Sequence, residues 1–214
     1  MSVKVGIIAS IGAVLIGVPA AYAIVRGRFP GKGLISAILI SPMIIPGLIF
    51  AIALYALYAR FNMIGSVVGL ALGHIILALP FVVVTVSAAL KSTDEKLEAA
   101  ALTMGASPIR AFWLVTLPVL RPAIISAAFL AFITSFDDVM LGLFLSGTDA
   151  KTLPVRMWEG IRFEIDPTIA AVSVILIMTT VGLKFISEWL ARTRVRTHKA
   201  GTMAMQTADA GASE

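Results

Sequence analysis

Residues 64–90 read IGSVVGLALGHIILALPFVVVTVSAAL. No Asp, Glu, Lys or Arg interrupts this run. It exceeds the roughly 20 apolar residues that a helix needs to cross a hydrocarbon core of about 30 Å. Working outward, four further predominantly apolar stretches are long enough to cross as well: 5–25, 34–58, 122–147 and 168–191. Inside lipid the backbone must satisfy its own hydrogen bonds, so each such stretch is expected to be helical. No segment alternates apolar and polar residues over about ten positions, as a membrane strand would. The expected fold is all-α, a polytopic transmembrane helix bundle of about five spans.

Composition agrees. The 214 residues are 59% hydrophobic and 14% charged, with mean hydropathy +0.99, against about 45–50% apolar in ordinary soluble domains. Cysteine is absent, which excludes disulfides, thiolate metal sites and cysteine nucleophiles. With only His74 and His198, no histidine-rich metal cage forms within one chain. The net charge of +5 does not indicate nucleic-acid binding, because the basic residues flank apolar spans as the positive-inside rule requires.

That rule sets an orientation. One side holds Arg26, Arg28, Lys32, Lys91, Lys96, Arg110, Arg121, Arg192, Arg194, Arg196 and Lys199; the other holds Lys4, Arg60, Lys151, Arg156 and Arg162. The richer side is assigned to the cytoplasm, which places the N-terminus outside and the C-terminus inside. A cleaved leader ending at Ala21-Tyr22-Ala23 is the alternative, but it would strand Arg26, Arg28 and Lys32 outside. The body is expected over 1–195, and the small, polar segment 196–214 is expected to be a disordered cytoplasmic tail. Pro19, Pro42, Pro46 and Pro80 each remove a helical hydrogen bond within a span and should kink it.

Between two spans lies the polar-punctuated segment 92–120. Ser92-Thr93-Asp94 offers helix caps, and residues 94–104 are good helix formers. Gly105 suits a left-handed helix stop. Ser107-Pro108 reads as an N-cap followed by proline at the first helical position, with the second helix expected to stop before Pro118. The surface is small and knobby, built from Ala99, Ala100, Ala101, Met104 and Ala106. Such a unit suits insertion into a partner's groove or an amphipathic loop on the membrane.

Asp137 and Asp138 follow Ser135-Phe136 in the middle of the fourth stretch. One acidic residue at the bilayer centre costs about 2.5–3.5 kcal/mol on insertion scales. The pair must therefore face water, a cation or a partner, or else cap a broken helix; both hold if the helix breaks there. Adjacent helical residues diverge by about 100°, so at most one points squarely into a pore. His74, alone in its span, reads as a buried hydrogen-bonding residue, and Lys184 and Glu188 as a structural helical pair. The loop carrying Arg156, Trp158, Glu159, Arg162, Glu164 and Asp166 is either solvated or a contact for a solute-delivery protein. Arg26-Gly27-Arg28-Phe29-Pro30-Gly31-Lys32 lacks the spacing of a nucleotide-binding P-loop. No hydrolase or metalloprotease motif is present.

Residues 98–118, EAAALTMGASPIRAFWLVTLP, resemble the cytoplasmic coupling loop of ABC-importer permeases, with its Glu-Ala-Ala…Gly…Ile-x-Leu-Pro signature. Gly105 matches the glycine; Val115, Thr116, Leu117 and Pro118 match Ile-x-Leu-Pro. The triplet falls on Ala99-Ala100-Ala101, so its glutamate is alanine here and Glu98 stands one residue early. Val18-Pro19-Ala20-Ala21-Tyr22-Ala23 with the turn 26–31, and Pro42 with Pro46-Gly47, are also similar to these permeases. Phe136-Asp137-Asp138, Thr152-Leu153-Pro154-Val155 and Asp166-Pro167-Thr168-Ile169-Ala170-Ala171 resemble the spermidine/putrescine branch. The match covers about 5–192.

The resemblance implies a type I permease fold lacking the usual first of six helices, in the bacterial inner membrane. It implies no catalytic residue and no metal in this chain, with ATP and Mg on a partner. The implied partners are an ABC ATPase dimer, a second homologous permease subunit, a periplasmic solute-binding protein and the bilayer, with no nucleic acid. Glu98, Ala99, Ala100, Ala101, Gly105, Ala106, Leu117 and Pro118 are the implied contacts to the ATPase. Phe136, Asp137 and Asp138 are the implied substrate pathway, favouring a cation such as a polyamine. Ferric ion, an opine or sulfate is the alternative cargo, and a gradient-driven transporter the alternative class.

Overall fold

A computed structural model describes residues 1–147, 151–163 and 171–182. The chain falls into two compact units, Met1–Glu159 and Gly160–Glu214. The first unit is built on three long helices: α1 Ser2–Arg26, α4 Val67–Ser92 and α7 Leu117–Asp137. Between α1 and α4 lie α2 Lys32–Ile44 and α3 Gly47–Arg60. Among the described residues, three helices are long and apolar enough to cross a membrane: Ser2–Arg26, Val67–Ser92 and Pro108–Asp137. Counting α2 with α3 as one broken span makes four. Of the fifth expected span, 168–191, the helix Ala171–Gly182 is described. The remainder lies outside the described residues, as do Lys184, Glu188, Glu164, Asp166 and the tail.

Packing inverts the pattern of a soluble core. Most fully buried positions on α1 and α7 are small (Ala9, Ala13, Ala21, Ala127, Ala131), with Val5 and Leu120 the larger exceptions, while Leu15, Ile16, Ile125 and Phe129 are exposed. Lipid is as apolar as leucine, so helices gain most from close backbone approach, which small residues permit. On α1 a stripe of Gly6, Ser10, Ala13, Gly17 and Ala21 is buried. A Cβ at Gly17 would stand 2.7 Å from Val82 on α4, and one at Gly6 would stand 2.9 Å from Phe132 on α7. Ser10 Oγ donates to Ala128 O at 2.7 Å, joining α1 to α7. α4 also carries His74, fully buried, with Nδ1 3.0 Å from Ser135 Oγ on α7.

The prolines behave unequally. α1 and α4 run unbroken through Pro19 and Pro80. The expected second span instead bends by 109° between α2 and α3. Ile45 is held extended (φ −74°, ψ 130°) ahead of Pro46, as the ring of a following proline demands. Pro42 and Pro46 stand one turn apart, so two successive turns lose a donor.

Candidate functional site

The sequence builds a helix–turn–helix after α4. Thr93 leaves the helix in an extended conformation, and Asp94 caps α5 Glu95–Thr103, its Oδ1 accepting from Lys96 N at 2.9 Å. Gly105 follows at φ +88° with open space around it. Its role is therefore conformational, since an L side chain there is strained even without a clash. Ser107 then caps α6 Pro108–Ala111, with proline at the start. The outer face of this unit is exposed and apolar: Met104 is 83% exposed and Ile109 74%, with Leu97, Leu102, Trp113 and Leu114 also outward. Ala99, Ala100 and Gly105 are exposed, Ala106 is half-buried and Ala101 is buried.

The second helix does not stop before Pro118. It passes through a wide π turn, Phe112–Thr116, in which Leu117 N–H reaches back to Phe112 O, and continues as α7 to Asp137. Pro118 cannot donate to Leu114 O, and its ring crowds that carbonyl; widening the turn accommodates both. Pro108–Asp137 is consequently one 30-residue helix, and Leu117 and Pro118 lie half-buried within it.

Glu98 faces into the protein. Its carboxylate accepts from the Tyr22 hydroxyl on α1 and, at 3.0 Å, from Thr116 Oγ1 at the end of the π turn. One turn further along α1, Arg26 pairs with Glu95. Arg26 also donates to Leu90 O and Thr93 O at 3.3 and 3.1 Å, where α4 ends. Tyr22 packs edge-on against Phe112 at a centroid distance of 4.9 Å. Sequence reasoning missed Tyr22 and Arg26 as partners of this segment, because nothing local links positions 76 residues apart.

The aspartate pair sits at a break. α7 ends at Asp137, and α8 Met140–Leu145 follows. Asp138 Oδ1 accepts from Leu141 N at 2.7 Å, capping α8. Asp137 is exposed, and no hydrogen bond or ion pair reaches it from the described residues. Phe136 is half-buried and stacks on Phe132 at 5.7 Å. A Cβ at Gly47, the first residue of α3, would stand 3.8 Å from Met140. The break at Pro46 and the break at Asp138 are therefore neighbours. Paired breaks of this kind expose backbone ends inside a membrane, which is tolerated only where they line a cavity or are buried in protein. Among the described residues no cluster of three metal-ligating side chains occurs.

Broken apolar helices around small-residue contacts, with a capped helix–turn–helix projecting at one end, define an integral membrane transport subunit. The chain belongs to the family of binding-protein-dependent transport system inner membrane components, whose model matches residues 13–196. Over 201 residues it is 32% identical to the putrescine transport system permease protein PotI of Escherichia coli K12, covering 91% of this chain and 71% of that protein. Over 191 residues it is 32% identical to the spermidine/putrescine transport system permease protein PotC of Haemophilus influenzae, covering 89% and 74%. The fold is shared with a chain of the MetNI methionine ABC transporter (TM-score 0.72, 22% identity, 90% and 92% covered). It is also shared with a chain of a bacterial ABC transporter for alginate (TM-score 0.65, 15% identity, 86% and 72% covered).

Proposed function

We propose that this chain forms half of the pathway of an ATP-driven, binding-protein-dependent importer of polyamines such as putrescine and spermidine. Its body spans 1–195, with the Arg26, Lys91 and Arg110 side facing the cytoplasm. It works with an ABC ATPase dimer that holds ATP and Mg, a second homologous permease subunit and a periplasmic solute-binding protein. ATP binding closes the ATPase dimer, the coupling segment moves with it, and the core helices reopen outward for released solute.

The observation that supports this function is the exposed α5–Gly105–α6 unit beside long apolar helices, in the segment whose sequence resembles the coupling loop of ABC-importer permeases. Ala99, Ala100, Gly105 and Ala106 supply its close-approach surface, while Glu98, Ala101, Leu117 and Pro118 set its posture from within. The cargo rests on the names of the relatives and on one residue, Asp137. Its free carboxylate at the end of α7 adds to the partial negative charge of a helix C-terminus, which favours a cation. Phe136 and Asp138 shape that place, the latter by capping α8.

The test is uptake of putrescine and spermidine into proteoliposomes holding this chain and the three partners. Uptake requiring both ATP and the binding protein is expected. ATP-dependent assembly without polyamine uptake would discard the cargo and keep the importer. Gly105→Pro, which cannot adopt φ +88°, is expected to abolish uptake while membrane insertion persists; normal transport by that variant sinks the coupling assignment.

A further inference from the structure

The last two turns of α1 hold the coupling segment at two points. Tyr22 and Arg26 stand four apart and share a face of α1; Glu95 and Glu98 stand three apart and share a face of α5. Tyr22 bonds Glu98, and Arg26 bonds Glu95. A single bond between two helices leaves a pivot, whereas two bonds a turn apart fix angle as well as distance. Arg26 spans the joint from both sides, because it also holds the Leu90 carbonyl in the last turn of α4 and that of Thr93.

We propose that Tyr22 and Arg26 are positioning residues of the transport cycle, a latch that fixes α5 to α1 so that movement of α5 is carried into α1. Without the latch that movement is absorbed at the extended Thr93–Asp94 link. The latch presupposes that α5 is the coupling element. It explains why the glutamate stands one residue early. One helical position is a rotation of about 100°, which takes a carboxylate from the exposed Ala99 face to the half-buried Glu98 face beside α1.

α1 is fit to carry the motion. It is unbroken from Ser2 to Arg26, and its small-residue stripe is packed against α4 and α7. Its far end is pinned as well: Ser2 Oγ accepts at 2.6 Å from the backbone N–H of Leu153, the first residue of α9 Leu153–Phe163. The rod thus joins the coupling segment to a helix at the opposite end of the unit.

The experiment measures radiolabelled putrescine moved per ATP hydrolysed, in the complete reconstituted importer. Tyr22→Phe deletes one hydroxyl and keeps the ring against Phe112. It is expected to lower the ratio about five- to tenfold, the low end of measured coupling effects, with assembly and the ATP hydrolysis rate retained. Arg26→Gln is expected to do the same, and Arg26→Lys to restore most of the ratio by restoring the charge. Thr116→Val, which frees Glu98 only from the π turn, is expected to leave the ratio near wild type. An unchanged ratio in the Tyr22→Phe/Arg26→Gln double variant overturns the latch. So does a ratio that falls only in step with the amount of assembled complex. Gly105→Pro separates the two levels. If it uncouples transport while the double variant does not, the latch alone fails; if it transports normally, the coupling assignment and the latch fall together.

Discussion

At the scale of the residue, two polar clusters in apolar surroundings show how placement decides role. His74 is fully buried and bonded through Nδ1 to Ser135, while its Nε2 has no partner among the described residues. Removing the serine hydroxyl leaves a second buried ring nitrogen unsatisfied. Ser135→Ala is therefore expected to destabilise the chain by about 1–3 kcal/mol, and Ser135→Ala/His74→Leu to recover most of that loss by removing both partners. Thermal unfolding in detergent checks both; equal melting temperatures for the two variants would contradict the expectation. Asp137 and Asp138 separate cleanly by the same logic. Asp138→Ala loses the cap of α8, worth about 0.5–2 kcal/mol, while Asp138→Asn keeps an accepting oxygen. Asp137→Asn is expected to leave the melting temperature unchanged and to weaken uptake of a cationic solute. Unfolding and uptake assays on the three variants decide it, and loss of stability in Asp137→Asn would contradict the division.

At the scale of the element, the junctions of the coupling unit are conformational. A Cβ at Gly105 would meet nothing within 4 Å among the described residues, so Gly105→Ala is expected to cost only the left-handed backbone penalty, about 1–2 kcal/mol. Gly105→Asn, a residue that tolerates that region, should cost less; a larger loss for asparagine than for alanine, read by thermal unfolding, would show that size rather than φ governs the site. Gly142 presents the opposite case. A Cβ there would stand 2.5 Å from Val155 Cγ2 and 3.0 Å from Thr152 Oγ1, both residues being buried. Gly142→Ala is expected to cost about 1–3 kcal/mol by overpacking and to loosen α9 from α8. A lower melting temperature in detergent would report that change. The prolines divide similarly. Pro80 is packed inside the bundle and its helix holds, whereas Pro46 follows an extended residue one turn after Pro42 and its helix breaks.

At the scale of the whole molecule, the basic residues of the first unit segregate. Arg26, Lys91 and Arg110 lie on or beside the coupling unit, while Lys151 lies beside Ser2 and Leu153 at the other end of α1. The chain has no cysteine, so one introduced thiol at a time reports sidedness. Met104→Cys is expected to react with an impermeant maleimide only from the cytoplasmic face, and Arg60→Cys only from the periplasmic face. The reverse pattern would invert the assigned orientation.

Hydropathy and charge along the chain determined that this protein is a helical membrane component, and residue types determined where a capped helix–glycine–helix falls. Those features are local: a span is a run of transfer free energies, and Gly105 between two caps is readable within a dozen residues. The tertiary structure decided which prolines break a helix, that Pro118 lies inside one, and which aspartate caps and which stays free. It also turned Glu98 inward. The posture of Glu98 depends on what stands opposite in space, on Tyr22 and Thr116, and that of Pro80 on neighbouring helices. Partners brought together by packing leave no trace in the spacing of the residues they hold.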